Sequence, residues 1–329
     1  MKQKDIEVTY NLKDLYTTED ILKMPRFVQE QADEVLVTGK MKKTLILPDG
    51  SRYFLGNKLN DLTGREWTFF TNSVINTNYS TNGKDNCAFK FRKVHPSPKP
   101  PLLTKSIIEF FTKEGQTVLD YYMGVGGTLL GASMCNRKAI GIELNETYVE
   151  AYKNASKYMG FEPQTTFVGD SEELLKSQQV KEALSDKVNL ILIDPPYSNM
   201  MAREKTGEDM RRHGAEATPF TTSEKDIGNM EEDDFWKHLI ATTEEALPYL
   251  KDKGHIVVFI KDLQPKGKNP NFLHAKMVEK FNEIPSLYYV GMKIWADQTC
   301  KLFPYGYPFG FVANQIHQYI LFFQKKDRA

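Results

Sequence analysis

The sequence has little of what marks a secreted or membrane-bound protein. Its 329 residues hold three cysteines, Cys87, Cys135 and Cys300, with no Cys-x-x-Cys pair. Neither a disulfide framework nor a cysteine zinc site is expected, and a reducing compartment is the default. The opening stretch MKQKDIEVTYNLKDLY lacks the apolar centre of a signal peptide. No run approaches the ~20 apolar residues of a membrane helix. The expectation is a soluble, cytoplasmic chain. Net charge is absent too, because 43 basic residues face 43 acidic ones. Bulk charge therefore does not hold this protein to nucleic acid, and such a partner would need a local basic face. No Gly-x4-Gly-Lys-Ser/Thr loop is present, which disfavours a nucleotide hydrolase. The six histidines show no ligand spacing, so no metal is expected. No internal repeat is visible.

What is present is a change of pattern along the chain. The length suits about two domains, or one domain with insertions. Residues 1–90 read as an N-terminal extension of short strand-like and turn-like pieces, a candidate DNA-contacting region. Within it, Pro48-Asp49-Gly50 is a turn signal, and the Asn-rich stretch 76–86 reads as a linker. Trp67, Phe69 and Phe70 are expected in a core rather than stacked on a base. Residues 91–329 form the second region, with a loop or lid insertion at about residues 198–230. After a helix at 101–113, apolar runs alternate with helical stretches: QTVLDYY, KAIGIEL, TTFVGD, NLILIDPPY and HIVVFIKD. That alternation predicts a mostly parallel sheet wrapped by helices. LYYVGMKIW and HQYILFFQK add a C-terminal antiparallel hairpin, so the fold class is α/β with a seven-stranded, Rossmann-like sheet.

The first run ends at Asp120 and is followed by Gly124, Gly126 and Gly127, where a strand turns into a helix. Glycines there admit a tight turn and a close ligand. Glu143 follows about twenty residues later, the spacing of a ribose-binding carboxylate. Asp170 ends the next run. It reads either as a ligand contact or as a helix N-cap, because SEELL follows it. Asn145 is placed to cap its own helix, which leaves Glu143 available. The whole suits an adenosine-type ligand that need not carry phosphates.

The run NLILI leads into Asp194-Pro195-Pro196-Tyr197. The amino group of an aromatic base is a poor nucleophile, because its lone pair is delocalised into the ring. Two acceptors aimed at its two N–H bonds draw that lone pair out. The Asp194 carboxylate and the Pro195 carbonyl supply them, and prolines bring no competing N–H. Tyr197 offers a stacking face worth about 1–3 kcal/mol per base. A base in a duplex reaches such a pocket only when flipped out. The bland alternative is a proline-rich turn with Asp194 as a cap. No cysteine follows a proline in this turn, which argues against covalent attack on a pyrimidine carbon.

HPSPKPPLL, VLDYYMGVGGTLL, AIGIELNETYVEAY, FVGDSEEL and DPPY together resemble successive motifs of the S-adenosylmethionine-dependent DNA amino-methyltransferases (adenine N6 or cytosine N4). The resemblance covers about residues 91–325, and the tail KLFPYGYPFGFVANQIHQYILFFQK is similar to the family's closing segment. It implies S-adenosyl-L-methionine as cofactor and double-stranded DNA as partner, with a homodimer admissible. It implies that Lys99 and Pro100 flank the methionine end of the cofactor. Asp120, Tyr122, Gly124 and Gly126 would surround the amino-acid moiety. Glu143 and Leu144 would lie at the ribose, and Asp170 and Ser171 near the adenine. Asp194, Pro195, Pro196 and Tyr197 would form the catalytic motif. Two positions depart from the family pattern: Tyr121-Tyr122 replaces Pro-Phe, and Val125 replaces a small polar residue.

For phosphate contacts, the basic group just after the catalytic motif is Arg203, Lys205, Arg211 and Arg212, competing with a reading of that segment as a solvated loop. A second run holds Lys84, Lys90, Arg92, Lys93, Lys99 and Lys105, and a third Lys261, Lys266 and Lys268. The acidic run 231–234 reads as a helix first turn rather than a metal site. Asp194 favours adenine over cytosine, where the family more often has Ser. Methylation of RNA and a non-catalytic DNA-binding protein are the alternatives.

Overall fold

The computed structural model describes residues 8–79, 87–196, 219–262 and 271–326. Tyr197, Arg203, Lys205, Arg211 and Arg212 lie outside the described residues, as do Lys84, Lys266 and Lys268. The chain divides into two compact units, Met1–Asn72 with Glu109–Glu114, and Ser73–Ile108 with Gly115–Ala329.

The first unit holds an antiparallel sheet of four short strands in chain order: β1 (Tyr10–Asn11), β2 (Leu36–Thr38), β3 (Thr44–Ile46) and β4 (Arg52–Phe54). Pro48-Asp49-Gly50 makes the β3–β4 turn. Gly50 takes φ +77° and donates its N–H to Leu47 O at 2.8 Å. Alternation sends Leu45 and Tyr53 into a core with Leu12, Val28, Val35 and Val37. A capping box, Thr63 with Glu66, starts the helix Gly64–Phe70. Trp67 and Phe70 share one face of it and pack on Phe110, at ring distances of 4.9 and 3.9 Å. Phe69 lies off that face and is 83% exposed. The expectation of a core role therefore fails for Phe69, because one helix face cannot hold three residues so spaced.

The second unit is built on one eight-stranded sheet. Its strands are β5 (Val74–Thr77), β6 (Thr117–Asp120), β7 (Lys138–Glu143), β8 (Thr165–Val168), β9 (Val188–Ile193), β10 (Leu250–Ile260), β11 (Leu287–Asp297) and β12 (His317–Lys325). Their order is β5-β11-β12-β10-β9-β6-β7-β8. The strands from β10 to β8 run parallel, and β12 is antiparallel to both β10 and β11. This is a Rossmann-like α/β sheet with the C-terminal hairpin expected from the sequence. β9 and the second half of β10, Ile256–Ile260, read as near-continuous apolar runs, and they are buried, as central parallel strands are.

The eighth strand is the difference. β5 lies partly in the stretch read as a linker, yet it pairs in parallel with β11. Val-Ile-Asn-Thr carries too short a pattern to announce a strand. A buried side-chain bond fixes it instead, from Trp295 Nε1 to Thr77 Oγ1 at 2.7 Å. Among the described residues no helix is long and apolar enough to cross a membrane.

The chain runs outward from β6 through β7 to β8, then returns to β9 on the other side of β6. Such a reversal opens a crevice at the carboxyl ends of the two central strands, where open α/β sheets bind ligands.

Candidate active site

β6 ends at Asp120, which is 3% exposed and accepts from the Tyr122 N–H at 3.0 Å. Burial pushes its pKa up to about 7, against the opposing bonds from Thr128 and Tyr122. The turn that follows needs its glycines. Gly126 takes φ +73°, and a Cβ there would come within 2.1 Å of the Tyr152 ring. Val125, where the family has a small polar residue, is buried against Tyr148 and Ala151. Tyr121 replaces proline by filling the core, with its hydroxyl 3.0 Å from Thr243 Oγ1.

Glu143, at the end of β7, ties two loops together. Its Oε2 accepts the Gly124 N–H at 2.8 Å and its Oε1 the Asn145 N–H at 2.9 Å. Burial raises its pKa to about 7, opposed by those backbone bonds. Asn145 caps the helix Glu146–Tyr158 by accepting from the Thr147 N–H at 3.0 Å. Of the two readings for Asp170, the structure shows the helix cap. It caps the helix Ser171–Leu175 through the Glu173 N–H at 2.9 Å, and it also borders the cleft. Its Oδ2 lies 3.6 Å from His238 Nε2.

β9 delivers Asp194 to the same edge. Lys99 Nζ lies 2.6 Å from Asp194 Oδ2, and these two side chains are 8% and 23% exposed. The ammonium also sits 5.3 Å from the centre of the Phe259 ring. Arg92 holds Lys99 in place. Its buried guanidinium donates to Lys99 O at 2.5 Å and to Val125 O at 3.2 Å, joining the lysine segment to the glycine turn. Burial lowers the Arg92 pKa to about 10. Arg92 and Lys99 thus leave the basic run expected to face phosphates, since both are buried and committed to internal partners.

These groups surround a cleft of about 840 Å³, part of it open to solvent. Of the residues expected at the site, Lys99, Tyr122, Gly124, Glu143, Leu144, Asp170, Ser171, Asp194, Pro195 and Pro196 line it. Asp120 borders a smaller adjoining cleft with Lys99, Thr128 and Asp194. Pro100 and Gly126 act in the backbone around the clefts. Pro100 O accepts from the Leu103 N–H at 3.0 Å, and the Gly126 N–H donates to Met123 O at 2.8 Å.

Sequence reading missed the opposite wall. Phe220 stacks on His95 with ring centres 5.1 Å apart. Its carbonyl accepts from Tyr148 Oη at 3.1 Å and from Asn145 Nδ2 at 3.2 Å. Asp226 shapes the turn behind it, accepting from Thr221 and Gly228. Burial lowers the His95 pKa to about 3, with the cations of Lys99 and Arg92 adding to the effect. His238 completes the lining. The one local hint was Tyr148, one helical turn beyond Asn145.

Known proteins bear on this arrangement. The sequence profile of the N6/N4 DNA methylases matches residues 5–154 and 188–329. A tRNA (guanine(10)-N2)-dimethyltransferase of Pyrococcus abyssi is 28% identical over 123 residues, which is 37% of this chain and 35% of that protein. The type II methyltransferase M.HpaI of Haemophilus parainfluenzae is 37% identical over 75 residues, covering 22% of this chain and 24% of that one. The chain thus spans about a third or less of the curated relatives it matches. Among solved structures, TrmN from Thermus thermophilus superposes with a TM-score of 0.46 at 12% identity, over 73% of this chain and 53% of that one. Methylases of the matching family take S-adenosyl-L-methionine as cofactor. Matched over most of its length, on both sides of residues 155–187, this chain belongs to the N6/N4 DNA methylase family.

Proposed function

We propose that this chain transfers a methyl group from S-adenosylmethionine to the exocyclic amino group of a flipped-out base in double-stranded DNA, adenine N6 in preference to cytosine N4. The observation that carries this reading is Asp194, set by β9 on the rim of an acid-lined cleft at the sheet's switch point and followed by two prolines.

The cleft fits the cofactor. Glu143 takes the Gly124 N–H on one oxygen and the Asn145 N–H on the other, and a carboxylate's four lone pairs leave capacity for a ribose hydroxyl. Leu144 would border the ribose, and Asp170 with Ser171 the adenine. Asp120, Tyr122, Gly124 and Gly126 would surround the amino-acid end, with Lys99 and Pro100 beside the methionine chain. When bound, S-adenosylmethionine supplies the electrophilic methyl. The chain's own part is positioning. Asp194 and the Pro195 carbonyl accept the two amino N–H bonds and turn the nitrogen lone pair toward the methyl. Tyr197 supplies the stacking face. Arg203, Lys205, Arg211 and Arg212 would contact phosphates. In this reading residues 91–329 carry the chemistry, and residues 1–90 are an extension available to DNA.

Aspartate at position 194 supports adenine as the target. The similarity to a protein named for tRNA makes RNA the arm that must be run beside DNA. Methyl transfer from labelled S-adenosylmethionine to unmethylated duplex DNA and to RNA, followed by digestion to nucleosides, tests the proposal. Label in N6-methyladenine from DNA is the expected result. Label confined to N4-methylcytosine overturns the base assignment, and label confined to RNA overturns the substrate.

A further inference from the structure

The connection between β11 and β12 is unlike any other exposed segment described. From 303 to 311 it reads Phe-Pro-Tyr-Gly-Tyr-Pro-Phe-Gly-Phe, an aromatic at every second position. Residues 298–317 contain no acid. Tyr307, Phe309 and Phe311 are 80%, 95% and 92% exposed. Folding does not require apolar rings in water, and a contiguous exposed apolar surface marks a contact site.

The loop is also held in shape. Asn314 closes its neck, accepting from the Phe303 N–H at 2.8 Å and donating to Phe303 O at 2.7 Å. Inside it, the Phe309 N–H donates to Gly306 O at 2.7 Å, with Gly306 at φ +78°. A side chain at Gly306 would collide with Gly310 O, which lies 2.3 Å from the ideal Cβ position. The rings are therefore presented by an ordered scaffold, which lowers the entropy cost of a contact.

Its place in the fold suggests the occupant. β12 is antiparallel to both β11 and β10, and β10 is parallel to β9. β11 therefore ends on the same edge of the sheet as β9, and the loop begins there. Lys261, just past β10, donates to Gln315 O at 3.0 Å. The neck of the loop thus lies at the carboxyl-terminal edge of the sheet, the edge that also carries Asp194. An acid-free surface with Lys301 at its start tolerates phosphates, and flat rings match the π-faces of bases. A base extracted from a duplex leaves neighbours unstacked, and those exposed faces need a new platform.

We infer that the 303–311 loop is a stacking platform for the bases of the substrate DNA next to the extruded one, with Phe309 and Phe311 as its main contacts. This rests on the proposed DNA methyltransferase activity and adds the residues that hold the strand. Stacking is independent of counterion release, so these rings set affinity without setting its salt dependence.

The test compares the full chain with Phe309→Ala, Phe311→Ala, Phe309→Leu and Phe309→Trp. Binding to fluorescent duplex DNA is measured by anisotropy across a salt series, and S-adenosylmethionine binding is measured by calorimetry as the check on folding. The Ala and Leu variants should weaken DNA binding by roughly 5- to 150-fold each, the range of one lost base stack. Their salt slope and cofactor affinity should stay as in the parent, and Trp should restore binding. Equal DNA affinity in parent and variants, with the parent methylating DNA, overturns the platform and leaves the activity standing. Variants that lose only self-association in sedimentation, or only RNA binding, also overturn it. A parent chain that neither binds nor methylates DNA sinks the functional proposal itself, and the platform with it.

Discussion

The ends of β7 and β8 differ from the end of β9 in what holds their carboxylates. Glu143 and Asp170 are fixed by backbone N–H groups, those of Gly124, Asn145 and Glu173. Asp194 is held by a side chain, the Lys99 ammonium. A backbone donor cannot turn away without unfolding a turn or a helix end. An ammonium on a four-carbon stem can shift between partners. The β7–β8 half of the cleft is therefore preformed, whereas the β9 half has an exchangeable contact. Under the proposed function, a base amino group competes with Lys99 for Asp194.

Asp194→Ala breaks the comparison most sharply. Methyl transfer should fall by about a hundred- to a thousandfold in kcat, the scale for losing one positioned electrostatic partner. Cofactor affinity measured by calorimetry should persist. A variant with normal turnover would remove Asp194 from the chemistry.

The converse change is Glu143→Gln, which turns one fixed acceptor into a donor facing a backbone N–H. A charged hydrogen bond is worth about 1.5–3 kcal/mol, so the cofactor Kd should rise roughly 10- to 150-fold. Turnover at saturating cofactor should stay near the parent value. A fall in kcat with unchanged Kd would place Glu143 outside the ribose contact.

Acidification sharpens the difference further. Burial gives Asp120 a folded-state pKa of about 7, against 3.8 for an ordinary aspartate. Between those values the folded chain keeps a proton that the unfolded chain has lost. The ligand-free protein therefore loses stability as pH rises through that window. Going from about pH 7.5 to about pH 6 should stabilise it by about 1 kcal/mol from this group, seen as a higher Tm. Over the same range the affinity for the cationic cofactor should drop. A Tm that falls while affinity holds would contradict the burial of Asp120.

The smallest effects separate the two roles of Asp170. Asp170→Ser keeps a capping oxygen, so stability should change by only about 0.5 kcal/mol or less, while Asp170→Ala should cost about 1 kcal/mol. Both should weaken the cofactor if the carboxylate contacts adenine. If Asp170→Ser binds cofactor as the parent does, Asp170 is a cap alone.

Local pattern made most of the sheet legible. The seven strands β6 to β12 and their parallel or antiparallel sense followed from apolar runs, spacing and the order of helices between them. β5 escaped because four mixed residues carry no period, and its place depends on Trp295 far along the chain. The strand-end acids and the glycine turn were readable because each lies within one strand–turn–helix unit. Phe220, His95 and His238 were not, because each reaches the cleft from a different element. Arg92 was misread for the same reason. In sequence it sits among exposed lysines, and only the approach of the 99 and 125 carbonyls makes it internal.

By itself, the sequence determined which residues end strands, where the chain must turn at glycine, and that an aspartate precedes two prolines. These depend on backbone propensity and periodicity over a few residues. Only the tertiary structure decided that Lys99 meets Asp194, that Glu143 braces the turn at Gly124, and that the 303–311 loop starts on the sheet edge that carries Asp194. Those pairings arise from the packing of strands distant in the chain, whose partners no local pattern can name.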